Sequence, residues 1–593
     1  MTIQIQDEAT TTMKPENGVR GLKHWRYDLM AGLQVSLVGL PLSLGIAIAS
    51  GAPPVAGLIS AIIAGLIFPF LGGAYVTISG PAAGLAPALL AGALTLGHGD
   101  LAVGYPLLLV AICLTGLVQV ILSLMRAGKF AMYFPISVVE GMLMAIGIMI
   151  IVKQIPSLLG SLAPPVKSIP GAILNIPQNI QAMNPEIFLI VGISLALLFL
   201  LSNRKERWAT FIPAPLFVVG LGIMAGGVLQ IPSEYLIKVP YDILEHGIRL
   251  QAFLEAWQQQ DLWMSLFLVV VTLTLIDGTE SLATIAAIDK IDPFHRKSDP
   301  NVTLRAMGVS NMLSSLAGGL TIIPGGVKSS TNIQAGGRTL WANFYYAIFL
   351  GIFLWWGTGL INRIPLAVLA AVLIYVGWRL CEPLIFRKIF EIGKEQFLIC
   401  LVTIVVTLST SDLLLGVGIG ILTKIIVLCF HSVQYVLEEI PNGQTIKKPY
   451  TKILYDAFEE LFTNPVIRIG DGRGTRERYS VKLAANNIIP GTSGTTKDTY
   501  KIYLASVTCM NLVKLDKTFG KLSNPPNPGS NFMVIVLGRI IDHTSMEYLH
   551  HFRDQCIQAG HTCALVGMED FQALSKHVLA FHMLKHPLQQ VVD

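Results

Sequence analysis

The segment TIIPGGVKSSTNIQAGG (Thr321–Gly337) places a Pro-Gly-Gly break and a lysine inside an otherwise apolar part of the chain. Lys328 is the only basic residue in the sequence between Arg305 and Arg338. An earlier segment, VTISGPAAGLAPALLAG (Val76–Gly92), is interrupted by proline and glycine in a similar way. What these two segments do depends on whether the apolar sequence around them is a protein core or a set of membrane spans.

The composition indicates a membrane protein. Of the 593 residues, 53% are hydrophobic and 13% are charged, whereas globular chains carry about 25% charged residues. Apolar blocks of roughly 20 residues run from Asp28 to Phe430, and the composition becomes ordinary after His431. The small net charge of +5 gives no sign of nucleic-acid binding, and seven scattered cysteines fit neither a disulfide framework nor a zinc motif. We expect a polytopic α-helical membrane protein with a soluble tail.

About fourteen spans are predicted, two of them short. The first 27 residues are polar and basic, which predicts a cytoplasmic N-terminal tail in a plasma (bacterial inner) membrane protein. Basic residues recur after even-numbered spans, so the C-terminus is also expected in the cytoplasm. The spans begin near Asp28, Pro54, Tyr75, Gly104, Ala131, Ile187, Ile212, Trp263, Thr303, Thr321, Trp341, Ile364, Phe397 and Asp412.

The two halves of the membrane region repeat each other. FPISVVEGMLMAIGIM (Phe134–Met149) resembles IPLAVLAAVLIYVGWR (Ile364–Arg379), and each half also contains one of the Pro/Gly-interrupted segments. Seven spans separate the copies, and an odd number inverts the second half relative to the first. Inverted repeats with broken helices at matching positions indicate a secondary transporter that works by alternating access.

The broken helices predict an anion site near the middle of the membrane. Pro81 and Pro324 are each expected at the first position of a half-helix, where a missing N–H is tolerated. Inverted symmetry then points the two N-termini, with their unpaired N–H groups, towards each other. The neighbouring small residues would let an ion approach the backbone: Gly80, Ala82, Ala83, Gly325 and Gly326.

Charged residues inside the spans are candidates for function, because they are costly to insert into a bilayer. Lys328 would add a full positive charge to the anion site; alternatively it reaches an interface or pairs with Glu280. Asp277 and Glu280 lie one helical turn apart, and Thr284 follows Glu280 on the same face. These groups could coordinate Na⁺, exchange a proton, neutralise Lys328 or form a structural ion pair.

These residues resemble the SulP family of anion permeases, which includes sulfate permeases, bacterial bicarbonate transporters and prestin. The resemblance is carried by Asp28–Leu58, ISGPAAG (Ile78–Gly84), TESLAT (Thr279–Thr284), SDPN (Ser298–Asn301) and TNIQAGGRT (Thr331–Thr339). It implies fourteen spans folded as two inverted seven-helix repeats, with a core and a gate domain. It also implies a homodimer and a cytoplasmic STAS domain.

The resemblance implies a set of binding residues by position. The coupling ion would be Na⁺ at Glu280 and Thr284, although bicarbonate-transporting relatives have aspartate at the first position; Asp277 is an additional acid. Many relatives have arginine where this chain has Lys328, and a lysine lacks the bidentate geometry of arginine. The substrate-binding positions are Leu42, Ser43, Ile46, Pro81, Ala82, Ala83, Gly326, Val327, Lys328 and Ser329.

The tail reads as a small α/β domain, with strands in Tyr500–Leu512 and Asn531–Ile540. IIDHTSMEYL (Ile540–Leu549) resembles the strand-to-helix turn of STAS domains. The resemblance implies that Asp542, Thr544 and Ser545 are regulatory. Alternatively these residues only cap the helix, with Thr544 as the N-cap. The predicted organisation is therefore a tail (1–27), a transporter domain (28–433), a linker or insertion (434–497) and a STAS-like domain (498–593).

We expect secondary transport of a small inorganic oxyanion, sulfate or bicarbonate. Coupling to a gradient of Na⁺ or of H⁺ could drive this transport. Alternatives are an anion channel or exchanger on the same scaffold, a nucleobase permease, and a membrane sensor whose output is the tail. No catalytic triad, metal cluster or nucleotide loop in the sequence supports an enzyme, and no cofactor other than the coupling ion is expected. The expected partners are the anion, the bilayer, a second copy of the chain and a regulator of the tail.

Overall fold

The computed structural model describes residues 14–126, 128, 135–161, 168–202, 214–238, 262–294, 296–438, 450–471, 499–522, 530–558 and 560–584. The chain divides into two compact units. The first comprises residues 1–131, 142–382 and 404–416, and the second comprises residues 132–141, 383–403 and 417–593.

The first half of the membrane region contains nine described helices and one short strand. Strand β1 (Ile78–Gly80) is followed by a 3₁₀ turn (Ala83–Leu85) that leads into α3. The helices are α1 (Trp25–Ala49), α2 (Pro54–Leu71), α3 (Ala86–Leu96), α4 (Leu101–Leu124), α5 (Ile136–Leu159), α6 (Ile169–Leu174), α7 (Ile176–Gln181), α8 (Pro185–Ser202) and α9 (Ala214–Val228).

The second half has the same plan. Strand β2 (Ile323–Gly325) leads directly into a short helix, α12. The helices are α10 (Trp263–Ile291), α11 (Pro300–Leu316), α12 (Gly326–Gln334), α13 (Trp341–Trp356), α14 (Thr358–Ile361), α15 (Leu366–Leu380), α16 (Pro383–Ile392), α17 (Lys394–Thr410) and α18 (Leu413–Glu438).

The predicted fold class is confirmed. Each predicted span coincides with a helix or, at the third and tenth positions, with a short strand followed by a short helix. Seven described helices are long and apolar enough to cross a membrane individually. Helix α8 follows α6 and α7 across a bend of 120°. The antiparallel pairing of β1 with β2 agrees with the inverted repeat, because each strand precedes a short helix in its own half.

The predicted positions of the two prolines are wrong by about two residues. The half-helices begin at Ala83 and Gly326, whereas Pro81 follows β1 and Pro324 lies within β2, opposite Ser79. Strand pairing extends the backbone through the positions that the sequence assigned to the first helical turn. A two-stranded ladder has outward-facing edges, and proline is tolerated there because its missing N–H is not needed for pairing.

Small residues allow the membrane helices of the first unit to pack closely. Helices α4 and α11 cross at Gly116 and Gly308, where a Cβ added to either glycine would lie 2.5 Å from the carbonyl oxygen of the other. Helices α2 and α13 meet at Gly65, where an added Cβ would collide with the carbonyl of Asn343. Such small-residue contacts are how helices associate inside a bilayer, where the hydrophobic effect between them is weak.

The C-terminal domain, in the second unit, has two small sheets. A four-stranded sheet has the order β3-β4-β5-β7, in which β4, β5 and β7 run parallel and β3 is antiparallel to β4. A three-stranded sheet has the order β6-β9-β8. The strands are β3 (Val466–Asp471), β4 (Thr499–Leu504), β5 (Asn531–Val536), β6 (Ile540–Ile541), β7 (Thr562–Val566), β8 (Phe571–Ala573) and β9 (His582–Leu584), and the helices are α19 (Tyr450–Phe462), α20 (Leu512–Leu522) and α21 (His543–Gln558).

The segment 434–497, predicted as a linker or insertion, is partly structured. Helix α18 continues to Glu438, α19 follows, and β3 joins the sheet of the C-terminal domain by pairing with β4. The sequence around β3 is polar and rich in Gly and Thr, so β3 was not predicted as a strand. Its partner, β4, is about thirty residues away in sequence. Residues 439–449 and 472–498 lie outside the described residues.

A buried ion pair joins α18 to the C-terminal domain within the second unit. Lys424 Nζ lies 3.1 Å from Asp542 Oδ2, and both side chains are fully buried. Burial disfavours the charged form of Asp542, but the Lys424 ammonium and the hydrogen bond donated by the Ser545 N–H outweigh it and hold the pKa of Asp542 below its usual value. An apolar cluster accompanies the pair: Leu428, Leu461, Cys509, Met510, Ile540 and Phe581.

Removing one partner of this pair is predicted to loosen the C-terminal domain. Lys424→Met leaves a buried carboxylate and Asp542→Asn a buried ammonium, so each should lower the free energy of unfolding by about 3–5 kcal/mol. The double variant should lose less than the sum, because neither charge is left alone. Hydrogen–deuterium exchange of the α21 amides in the full-length protein measures the effect.

The matched control is Asp554→Asn, which makes the same chemical change on the exposed side of α21. It should leave the exchange of α21 within error of the unsubstituted protein. Strictly additive effects of the two single substitutions would contradict a coupling between Lys424 and Asp542.

Candidate functional site

The site is organised by a two-stranded ribbon formed by β1 and β2. Ile78 pairs with Gly325, Ser79 with Pro324 and Gly80 with Ile323, and all six residues are buried. Because the strands are antiparallel, the helices that follow them leave the ribbon in opposite directions. The N-termini of both half-helices therefore face the same small region of the protein interior.

Side-chain amides satisfy the backbone groups that this short ribbon leaves unpaired. Asn343 on α13 accepts a hydrogen bond from the Ser79 N–H (2.9 Å) and donates one to the Thr77 carbonyl (2.7 Å). Asn332 on α12 donates to the Val76 carbonyl at 2.8 Å. Both amide side chains are fully buried, so they fix β1 against α12 and α13.

Lys328 bridges the two half-helices. It extends from the first turn of α12, is 1% exposed, and its Nζ donates to the Pro81 carbonyl at 3.1 Å. A Cβ added at Gly80 would lie 2.6 Å from this nitrogen, so the ammonium occupies space that only glycine leaves open. One of the three ammonium donors is used by Pro81, which leaves two for an anion or for water.

The start of α12 presents free backbone donors. Gly326 and Val327 are exposed, and the residue that precedes the helix is Gly325, which has no side chain that could cap it. The first N–H groups of a helix have no partner within it, so these amides are available to an anion. Ser329, by contrast, uses its hydroxyl inside the protein, donating to the Gly325 carbonyl (2.6 Å) and accepting from the Ile78 N–H (2.9 Å).

The remaining predicted substrate positions lie at the starts of the half-helices or on a helix that packs against both of them. Helix α1, which carries the buried residues Leu42, Ser43 and Ile46, packs against α12, α3 and α15. Pro81 and Ala82 are buried between β1 and the 3₁₀ turn, and Ala83 is half-buried. The structure therefore brings the predicted residues of α1, the 3₁₀ turn and α12 into one region.

Helix α10 adds a carboxylate and a hydroxyl to this region. The half-buried Glu280 lies against the 3₁₀ turn so closely that a Cβ at Gly84 would collide with both of its carboxylate oxygens. Thr284, one turn later, lies by the start of α12, its Cγ2 being 4.0 Å from a Cβ built on Gly326. Glu280 Oε2 is buried without a hydrogen-bond partner, and the predicted alternative of an ion pair with Lys328 does not form.

Asp277 lies in a different environment from Glu280. It is fully buried and accepts hydrogen bonds from Gln119 Nε2 on α4 (3.1 Å) and Asn311 Nδ2 on α11 (3.4 Å). The sequence analysis grouped it with Glu280 and Thr284 as a coupling residue, and the structure separates it from them. The sequence analysis did not single out four buried amide side chains that bind the ribbon or Asp277, although each lies within a predicted span: Gln119, Asn311, Asn332 and Asn343.

In the C-terminal domain, Asp542 is the residue that caps α21. Its Oδ1 accepts from the Ser545 N–H at 2.9 Å, so Asp542 rather than Thr544 fills the predicted capping position. Thr544 Oγ1 accepts a long hydrogen bond, 3.5 Å, from the Ile136 N–H. The Ser545 hydroxyl is buried without a partner. All three residues predicted as regulatory are thus covered in this structure.

Comparison with known proteins agrees with this architecture. Residues 25–403 match the model of the sulfate permease family. The chain is 27% identical over 398 residues to the bicarbonate transporter BicA of Synechocystis, covering 66% of this chain and 68% of BicA. It is 25% identical over 402 residues to the putative sulfate transporter YvdB of Bacillus subtilis, covering 68% and 73%.

The fold is similar to the overall structure of SLC26A9, with a TM-score of 0.60 and 18% identity, over 91% of this chain and 84% of that one. The family match spans well over half of the chain, and its residues include β1, β2, Glu280 and Lys328. The protein belongs to the sulfate permease family.

Proposed function

We propose that this protein is a secondary active transporter of a small inorganic oxyanion, sulfate or bicarbonate. The observation that carries the proposal is the β1–β2 ribbon, from which two half-helices start with Lys328 between them. Unpaired N–H groups and one ammonium attract an anion without demanding a particular shape. The family is named for sulfate permeases, and a similar protein is a bicarbonate transporter.

Alternating access follows from the inverted arrangement of the two halves. The anion is held where the backbone is non-helical, which is tolerated within a membrane only if those backbone groups are buried in protein or line a cavity. Movement of one set of helices past this fixed site then exposes the anion to one side of the membrane and afterwards to the other. The protein is proposed to be a homodimer in the plasma (bacterial inner) membrane, with both termini cytoplasmic.

Glu280 and Thr284 are proposed to bind the coupling ion, with Na⁺ preferred. Na⁺ favours oxygen ligands, and Glu280 supplies a carboxylate oxygen that lacks a hydrogen-bond partner. The two side chains lie beside the starts of the two half-helices, where the non-helical backbone that precedes each start offers carbonyl oxygens to a cation. Two side-chain oxygens do not complete a coordination shell, and backbone carbonyls or water supply the rest.

Uptake into proteoliposomes tests the whole proposal. Labelled sulfate and labelled bicarbonate are offered in separate experiments, with and without an inward Na⁺ gradient. Accumulation above equilibrium that requires the gradient supports Na⁺-coupled transport. Equilibration without accumulation indicates a channel, uptake that requires a counter-anion inside indicates an exchanger, and absence of uptake of either anion contradicts the proposal.

Lys328→Gln is predicted to weaken anion binding. Glutamine keeps a donor for the Pro81 carbonyl, so the ribbon should stay intact, but the positive charge is lost. Because a hydrogen bond to a charged group contributes about 1.5–3 kcal/mol, the half-saturating anion concentration should rise roughly 10- to 150-fold. Lys297→Gln, the same change at an exposed residue, is the matched control. An unchanged half-saturating concentration would show that the backbone N–H groups suffice.

Thr284→Val is predicted to raise the Na⁺ concentration for half-maximal uptake on the order of tenfold, as is typical for the loss of one supporting group at a metal site. Anion affinity at saturating Na⁺ should change little. Thr279→Val is the control, since that hydroxyl is bonded to the Leu275 carbonyl of its own helix. If wild-type uptake does not respond to an imposed Na⁺ gradient, the Na⁺ assignment is wrong.

Gly84→Ala offers a second route to the same question. The added methyl group would occupy the position of the Glu280 carboxylate and displace it from the 3₁₀ turn. Uptake by Gly84→Ala should therefore lose its dependence on Na⁺, as uptake by Glu280→Gln should, although the alanine side chain cannot itself bind Na⁺. Normal Na⁺ dependence in Gly84→Ala would contradict a site built on the observed position of Glu280.

A further inference from the structure

A second buried polar cluster lies between α4, α10 and α11, centred on Asp277. Asp277 Oδ2 accepts from Gln119 Nε2 and Asn311 Nδ2, whereas Oδ1 is buried without a hydrogen-bond partner. The two amides are also joined to each other, because Asn311 Nδ2 donates to Gln119 Oε1 at 2.8 Å. The cluster thus contains one carboxyl group with an unused oxygen.

The charges around Asp277 do not compensate a carboxylate. The elements that approach it from outside α10 contribute amide side chains, Gln119 from α4 and Asn311 from α11. Glu280, on the same helix, carries the same sign of charge. Lys328 on α12 forms no ion pair with it and instead donates to Pro81. Among the described residues, no cation is paired with Asp277.

The surrounding groups favour a proton over a metal ion. Both amide oxygens are occupied, since Gln119 Oε1 accepts from Asn311 and Asn311 Oδ1 accepts from the Ile322 N–H at 2.6 Å. The amide groups therefore face Asp277 with N–H donors, which repel a cation. Hydrogen bonds donated to Oδ2 suit both the ionised and the protonated carboxyl group. A proton on Oδ1 removes the negative charge, which is costly in a buried position.

We propose that Asp277 is a proton-binding site of the transporter, and that Asn311 transmits its protonation state to the strand β2. This inference rests on the proposed transport function and adds a proton site to the Na⁺ site at Glu280. Asn311 is a positioning residue in this scheme, whereas Asp277 carries the proton.

The connection to the anion site is short. Asn311 holds the N–H of Ile322, and β2 begins at the next residue and leads directly into α12, which carries Lys328. When Asp277 loses its proton, its carboxylate binds the Asn311 amide more strongly, because hydrogen bonds to a charged acceptor are about twice as strong as neutral ones. The pull on Asn311 shifts its carbonyl oxygen and, through Ile322, the start of the second half-helix.

Infrared spectroscopy of the purified full-length protein tests the proton site without requiring transport. Asp277→Asn should remove, at neutral pH, the intensity of one protonated carboxyl C=O stretching band. Glu280→Gln and the exposed control Asp554→Asn should retain the Asp277 band. An Asp277→Asn spectrum that equals the wild type in this region overturns the proposal, whether or not the protein carries sulfate.

The relay is tested by the effect of pH on anion affinity. Labelled sulfate, or bicarbonate at fixed concentration of the ionised form, is offered to proteoliposomes in mildly acidic and mildly alkaline buffer at saturating Na⁺. Coupling energies between sites are typically about 1–3 kcal/mol, so the half-saturating concentration should change at least about fivefold in the wild type. Asp277→Asn should abolish this change.

Asn311→Ala separates the relay from the proton site. It should keep the infrared band of the protonated carboxyl group and lose the pH effect on half-saturation, because the link to Ile322 is broken. A pH effect that survives Asn311→Ala overturns the relay. A failure of the proposed function gives a different result. Neither the wild type nor any variant then takes up sulfate or bicarbonate, while the wild type still shows the infrared band of Asp277.

Discussion

The structure depends on how it satisfies a backbone that is not helical inside a membrane. Where β1 and β2 interrupt their spans, N–H and C=O groups lose their helical partners, and the bilayer offers no water to replace them. The ribbon pairs some of these groups across the two repeats, and the amides of Asn332 and Asn343 pair others. Among the described residues, the first N–H groups of α12 have no partner within their helix, and these groups form part of the candidate anion site.

Lys328 has a structural and an electrostatic role at once. A lysine with no polar contact would be costly at this depth, and the Pro81 carbonyl provides one from the other repeat. The close approach of its nitrogen to Gly80 explains why glycine precedes Pro81. The charge is therefore fixed between the two half-helices rather than held on a mobile side chain, and an anion finds it already positioned.

Much of the fold could be predicted from the sequence, because membrane spans have a strong local signal. Apolar length placed the spans and the two Pro/Gly interruptions located the broken helices. The exact starts of the half-helices could not be predicted, since they are set by pairing between Ser79 and Pro324, about 245 residues apart. Similarly, β3 was missed because its identity as a strand comes from its partner β4 rather than from its own polar sequence.

The candidate site could be predicted by residue type but not by grouping. Lys328, Asp277 and Glu280 stand out as charges in apolar segments, and their spacing suggested one cluster. Helical spacing alone did not show that Asp277 faces α4 and α11 while Glu280 faces the half-helices. The pair of Lys424 with Asp542 was missed for the same reason, because a lysine in the last span gives no sign of a partner in the C-terminal domain.

The two carboxyl groups of α10 illustrate how environment divides the work of similar side chains. Glu280 is half-buried and has an oxygen without a partner beside the half-helices, which suits an ion that must enter and leave. Asp277 is fully buried and receives two amide donors, which suits a proton, the one cation small enough to reside there without further ligands. A helix that turns one acid towards the substrate path and the other towards a hydrogen-bonded network can respond to two ions, and the network between Asn311 and Ile322 gives the buried one access to the anion site.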